Sequence, residues 1–567
     1  MGRTIKTGIM NLATSLLIPI TVLLAADGSA AVRYVNVNSG GPMAPYTSWA
    51  TAATTIQDAI DAANDGDQIL VTNGVYQTGG RLVSGGTSNR IAVIKPLTVQ
   101  SVNGPTATMI RGYQVPGTTN GDAAIRCAYL TNGATLVGFT LTNGATRDTG
   151  DLNDQAGGGV LGESTAVVSN CVFSGNTAYS VGGASAEKEF SGPGSWLELI
   201  NCVLTGNSAN QGGGAYICVL SHCTLTGNSA YSAGGGVEGG VLNDCVLSAN
   251  SATTSGGGAH FGLMTNCVVA GNSSGIQGGG VDSSTLHQCT LTNNAAVVGG
   301  GAQGGDLNNC LVIGNSASAQ GGGTYGSNLK NCTVIGNSAP DGGGAYRGWL
   351  RNSIVYFNSG ASPLENWSES VPEYCCTTPL PPWEWGNITN APLLIDPTGG
   401  NLRLQSNSPC INAGLNAAAT GATDFDGKPR IAGGTVDMGA YEFQSPQSPI
   451  SYAWLQQYGL PTDGSADHGD LDGDGLDNWQ EWRCGTDPTN SLSALRLISA
   501  APNSYGGVTV RWASVPGVTY FLERGTNLSA PNSFRVVATN MTAYVGTWSF
   551  TDFDAPGGAA FYRIGVP

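Results

Sequence analysis

Between Val168 and Asn358 apolar and polar residues recur in one fixed order. The order is set by Cys171, Cys202, Cys223, Cys245, Cys267, Cys289, Cys310 and Cys332, with Ser353 in the next slot; after a first step of 31 residues the steps are 21 or 22. Three residues before each lies an apolar column: Val168, Leu199, Leu220, Leu242, Met264, Leu286, Leu307, Leu329 and Leu350. Five residues after each lies an asparagine: Asn176, Asn207, Asn228, Asn250, Asn272, Asn294, Asn315, Asn337 and Asn358. A period of this size predicts a solenoid in which each repeat touches only its neighbours. Seven of the repeats then carry a glycine triplet, from Gly212–Gly214 to Gly342–Gly344.

The triplets decide the kind of solenoid. Each glycine costs a helix about 1 kcal/mol relative to alanine, so the helical return limb of a leucine-rich repeat is disfavoured. Three short strands per turn are predicted instead, with corners at the Gly-Asn and Gly-rich points, where left-handed backbone is tolerated. Stacked asparagines can hydrogen-bond from rung to rung. A bend near Asn-Cys lets the Leu, the Cys and the following Leu or Val all reach the core. The predicted fold class is all-β, a right-handed parallel β-helix.

The flanks follow other patterns. Ile56, Ile60 and Ala63 form one apolar helical face, placed to cap the open end of the coil. Strand-like pieces follow at 68–72, 91–94, 97–102, 108–111 and 136–141. The cap Ile56-Gln-Asp-Ala-Ile60, Gly66-Asp67, Gly74-Val-Tyr76 and the run Leu136–Leu141 resemble the pectin-lyase-like β-helix superfamily. The Gly-Gly-Gly-Ala and Ser-Gly-Asn-x-Ala repeats resemble those of polymorphic outer-membrane proteins. Asn407–Gly414, Thr423–Arg430 and Val436–Glu442 resemble the choice-of-anchor Q region. That resemblance implies a β-helix ending in surface or secreted proteins.

Ser445–Ile450 reads as a Pro/Ser/Gln linker. Residues 495–567 alternate like short strands between Gly, Pro and Asn turns, which predicts a small β-sandwich similar to fibronectin-III-like modules. The predicted organisation is a signal peptide over 1–31, the β-helix over 32–444, a linker and calcium-binding segment over 445–494, and the sandwich over 495–567.

Composition narrows the setting. Charged residues are 11% of the chain, against about 25% in ordinary domains, and 86 of 567 residues are glycine. A net charge of −16 argues against nucleic acid as a partner. Arg3 and Lys6 ahead of the apolar run Ile9–Leu24, followed by small residues, predict export, with cleavage between Ala25 and Ala31. No later stretch is long and apolar enough to predict a transmembrane helix. The ladder cysteines are expected to be buried free thiols, because rungs about 4.8 Å apart do not suit disulfide geometry. Cys127, Cys218, Cys375, Cys376, Cys410 and Cys484 lie outside the ladder, and their pairing is left open.

Two places carry candidate chemistry. Asp470-Leu-Asp472-Gly-Asp474-Gly-Leu476-Asp-Asn478-Trp-Gln-Glu481 fits the EF-hand loop pattern. Asp470, Asp472, Asp474, the Leu476 carbonyl, Asn478 and Glu481 are its candidate calcium ligands, since calcium takes six to eight oxygens on a tight loop. With Gly485-Thr-Asp-Pro488, the segment resembles thrombospondin type 3 and dockerin-like repeats, in a single copy. The second place is the residue just after each Gly-rich turn and its following small residue: Ser185, Tyr216, Glu238, His260, Asp282, Gln303, Tyr325 and Tyr346, expected to point outward. Glu238, His260 and Asp282 are acid/base candidates on successive rungs. Arg347 is the candidate proton acceptor of a lyase. Tyr216, Gln303, Tyr325 and Tyr346 are candidate sugar contacts. The expectation is an exported or cell-surface protein that binds extracellular polysaccharide or a cell-surface glycan, or acts as an adhesin. The alternatives are a lyase or hydrolase of uronic-acid-rich glycans and a structural spacer.

Overall fold

A computed structural model of the chain describes residues 30–83, 85–188, 196–361, 365–382, 385–528 and 533–567. The predicted signal-peptide core lies outside the described residues. The chain is a right-handed parallel β-helix whose rungs stack in register from Val32–Val35 to Cys376–Thr377. Taken in rung order, the first sheet has 14 strands, the second 13, the third 6 and the fourth 12.

One rung shows how the sequence makes the coil. Val219–Ser221 lies in the first sheet, and His222 turns the corner at φ 55°. Thr224–Thr226 lies in the second sheet, Ser229–Ala233 in the third and Val237–Glu238 in the fourth. The residue before each ladder cysteine takes the left-handed conformation, as at Asn201, Asn266, Asn309 and Asn331. This is the expected bend, and it turns Leu220, Cys223 and Leu225 together into the core, each no more than 1% exposed. All fourteen cysteines are free and buried.

Two strand expectations change. The stretch between the Asn ladder and the glycine triplet pairs across six rungs, Ser208–Gln211 to Ser316–Gln320, so these rungs have four strands, not three. Its extended backbone lies between neighbouring rungs and must find partners there. The expected strand 136–141 is two strands, Thr135–Val137 and Thr140–Thr142, split at Gly138 with φ 78°. Phe139 then occupies the cysteine slot, its N–H donating to Cys171 Sγ over 3.3 Å.

Helix α1, Ile56–Ala62, buries Ile56, Ala59 and Ile60 against the first strands, and Thr55 caps it by accepting from the Asp58 N–H. At the other end, Leu394–Phe443 folds back over the outer face of the second sheet. There Leu311, Ile335 and Ile354 pack against Leu402, Cys410, Ile411 and Met438. Arg430 and Glu442 pair at 3.0 Å with almost no exposure, and Arg430 Nη1 also donates to Asn309 Oδ1 at 3.1 Å. Asp437 accepts from the N–H groups of Asn412 and Phe443, and burial drives its carboxyl well above the usual range. The polar residues of the anchor-like run are therefore used to hold this segment down.

The Pro/Ser/Gln run is packed and not a free tether. Ser448 and Ile450 are buried, and Asn412 Nδ2 donates to the Ser448 carbonyl at 2.8 Å. Helices α2, Tyr452–Gln457, and α3, Asn478–Cys484, follow, and Trp454, Trp479 and Trp482 pack on the same cluster. The C-terminal strands form two three-stranded antiparallel sheets around Val510, Trp512, Tyr520 and Leu522.

Candidate functional site

The fourth sheet aligns the outward column. Tyr216 pairs with Glu238, Glu238 with His260, His260 with Asp282, Asp282 with Gln303, Gln303 with Tyr325, and Tyr325 with Tyr346. Ser185 is not in it: it pairs with Ala215 and is buried, and Ala186 takes the place beside Tyr216. Ala184 takes the third place of the glycine triplet on that rung, so Ser185 stands where Ala215 stands on the next.

The column lies just past a glycine-built corner. Gly256, first of its triplet, has φ 61°, and a Cβ on Gly257 would collide with the carbonyls of Ser273 and Gly279 on the next rung. Glycine therefore lets neighbouring rungs pack closely where the third sheet leads into the fourth, and most of the column side chains beside it are half-buried. The expectation of a freely exposed column is corrected accordingly. Asp282 is 3% exposed and Tyr346 only 2%.

His260 is clamped between two carboxylates. Its Nδ1 lies 2.9 Å from Glu238 Oε2, and its Nε2 lies 3.5 Å from Asp282 Oδ2. Burial alone would lower its pKa; the hydrogen bond and charge of Glu238, with the charge of Asp282, overcome this and raise it above 6.5. Phe261, exposed on the adjoining corner, sets its ring centroid 4.0 Å from the imidazole. Both ring nitrogens face protein carboxylates, so a proton transfer to a ligand would first have to break one of these pairs.

At the far end Tyr325 and Tyr346 stack at 5.2 Å. The Arg347 guanidinium lies 5.1 Å from the Tyr346 ring and pairs with Glu369 at 2.7 Å. Tyr346 is thus covered by its neighbours, while Tyr216, Gln303 and Tyr325 keep part of their surface open. Sequence reasoning missed Phe261 and Glu369, which occupy corner positions just after the column, where the residue type varies from Ile217 and Gly239 to Ser283 and Arg347. It also missed the Tyr129–Glu163–Lys188 cluster upstream, with Lys188 Nζ 2.8 Å from Glu163 Oε1, because the period is absent there.

The acidic loop is separate from the column. Ligand atoms of Asp470, Asp472 and Asp474 lie within 4.8 Å of one another. Asp470 accepts from the N–H groups of Gly473 and Gly475, which curls the loop, and Asp477 caps α3 through a capping box with Gln480. Asp472 Oδ2, Asp474 Oδ2, Asn478 Oδ1 and Glu481 Oε2 are buried without a hydrogen-bond partner. Burial, then the charges of Asp472 and Asp474, push the Glu481 carboxyl up to about 7. Four unpartnered oxygens converging on carboxylates fit a hard cation, which would satisfy and neutralise them together.

Among solved structures, the chain is similar to a rhamnogalacturonan lyase at 10% identity and TM-score 0.26, covering 61% of this chain and 87% of that one. It is similar to XylC in a complex with xylose at 8% identity and TM-score 0.29, covering 59% and 76%. It is similar to the Dettilon tailspike protein at 13% identity and TM-score 0.30, covering 60% and 68%. No protein-family model and no curated protein matches the chain. The assignment of the β-helix rests on its own strand register.

Proposed function

We propose that the chain is an exported β-helix protein that binds polysaccharide along its side, with a calcium loop stiffening the joint before the C-terminal sandwich. The observation that carries the reading is the aligned column on the fourth sheet. Tyr216, Gln303 and Tyr325 offer rings and an amide beside the glycine corner, on rungs about 4.8 Å apart, a repeat suited to an extended polymer. Retention of the full chain on immobilised polysaccharides tests it. Gln303→Ala with Tyr325→Ala is expected to weaken retention roughly tenfold. A chain that no polymer retains is a spacer, and the reading fails.

Turnover of a uronate polymer is the second reading, and the geometry supports it less. His260 has no ring nitrogen free, and Arg347 is engaged by Glu369 and Tyr346. An unsaturated uronate product that disappears in His260→Ala would reverse this order.

Calcium is proposed for the 470–481 loop because its buried oxygens have no other partner. Asp470, Asp472, Asp474, the Leu476 carbonyl, Asn478 and Glu481 would hold it, and its role would be charge neutralisation. Export is read from Arg3, Lys6 and the apolar run that follows. N-terminal sequencing of protein recovered from the medium checks it, with cleavage between Ala25 and Ala31 as the expected result.

A further inference from the structure

The third sheet was not foreseen from the sequence, and its outer face carries features that the column reading does not use. Tyr231 is 78% exposed and Tyr179 is 53% exposed. Both belong to one line of residues. Thr177 pairs with Ser208, Ala209 with Ala230, and Ala230 with Ala252, so Tyr179, Asn210, Tyr231 and Thr253 follow one another on successive rungs. The two tyrosines are therefore two rungs apart, roughly 9.6 Å at about 4.8 Å per rung. That is the length of a disaccharide unit in an extended chain, with Asn210 between them.

Two contiguous depressions lie along this line. One, of about 480 Å³, is bordered by Asn120, Thr177, Tyr179, Ser208, Asn210 and Tyr231. The other, of about 460 Å³, continues past Tyr231 to Ser251 and Thr253. Every residue lining either of them is uncharged, on a chain of net charge −16. An anionic chain would gain no counter-charge there and would meet the overall negative field, whereas a neutral one gives up nothing. Tyrosine rings supply apolar faces for the carbon-bound hydrogens of a sugar, and the flanking hydroxyls and amides supply donors and acceptors for its hydroxyl groups.

We propose that the outer face of the third sheet, with the preceding rung that Thr177 joins to Ser208, is a second binding site, for a linear neutral polysaccharide, with Tyr179 and Tyr231 as its stacking platforms. It is separate from the column on the fourth sheet and does not depend on that column binding anything. The test is affinity electrophoresis of the full chain through gels containing soluble β-glucan, xylan or galactomannan, with polygalacturonate as the anionic comparison. At least one neutral polymer retards the chain. Tyr231→Ala weakens that retardation roughly tenfold, and the double change with Tyr179→Ala abolishes it. Tyr179→Phe with Tyr231→Phe keeps both rings and keeps the retardation, which excludes a folding defect as the cause. Retardation that survives loss of both tyrosine rings, retardation by polygalacturonate alone, or none by any neutral polymer overturns the proposal. A chain that loses retardation in the Tyr325 variant and keeps it in the Tyr231 variant supports the column and overturns this site.

Discussion

The asparagine five residues past each cysteine follows the left-handed corner residue and ties its rung to the next. Asn250 Oδ1 accepts from both the backbone N–H of Asn228, at 3.0 Å, and its Nδ2, at 2.9 Å, while Asn250 Nδ2 donates to Asn272 Oδ1 and to the Leu225 carbonyl. The ladder runs on to Asn358 and ends on Asn366. Asn250→Ala leaves buried groups on two neighbouring rungs unpaired, and the expected loss is about 3 kcal/mol. Asn243→Ala, on the outer face of the first sheet, should stay within about 0.5 kcal/mol. Urea unfolding of the two variants makes the comparison, and equal midpoints would remove the ladder's structural role. His260 gives a prediction in pH. Its folded pKa is raised above the ordinary 6.5, so the stability it contributes is fully present below 6.5 and is lost as pH rises through the folded value. The unfolding midpoint of the native chain should therefore fall on the alkaline side of 6.5 by more than that of His260→Gln. Parallel pH profiles would show that the Glu238–His260–Asp282 clamp is not linked to folding.

At the level of elements, the sequence displayed whatever recurs and hid whatever does not. The Leu, Cys and Asn columns gave the first two sheets and their corner, because each needs one residue type at one backbone position. The third sheet was invisible, since Ser229–Ala233 and its neighbours are held by backbone pairing and the residue that repeats in them is only a small alanine, as at Ala209, Ala230, Ala252 and Ala317. The column was legible from Tyr216 onward, yet its half-burial was not, because that depends on close glycine packing between rungs. The acidic loop is the opposite case. Every position of its motif was readable, and the structure adds the unpartnered oxygens of Asp472, Asp474, Asn478 and Glu481. Calcium at a hundredfold excess over its Kd should stabilise the segment by about 2.7 kcal/mol. Glu481→Gln should abolish most of that shift in a calorimetric scan with and without chelator. A chelator-insensitive transition would leave the loop as an acidic turn. The return segment makes a comparable claim: Arg430→Met strands the buried Glu442 carboxylate and should cost about 3–5 kcal/mol, read from the same kind of scan.

For the molecule as a whole, the question is where the β-helix can be cut. The parallel rungs stop at Thr377, but the apolar surface they create does not stop there. Along the first position of the second sheet the residues run Val246, Val268, Thr290 and Leu311. Val246 and Val268 are 38% and 39% exposed, whereas Leu311 is 5% exposed because the return segment lies over it. Ile335 and Ile354, on the next two rungs, are covered in the same way, and Ile450, Tyr452 and Leu455 close the cluster beyond the anchor-like run. Chain 32–390 would uncover Leu311, Ile335, Ile354 and Cys376 together, a contiguous apolar patch of the kind that drives association. Chain 32–494 keeps the return segment and helices α2 and α3, and gives up the sandwich contacts near Cys484 and Gly485. The shorter chain should elute as aggregate or oligomer from a sizing column, and the longer one as a monomer. A monomeric, cooperatively folding 32–390 would mean that the coil stands without its return segment, leaving attachment as the work of residues 394–443.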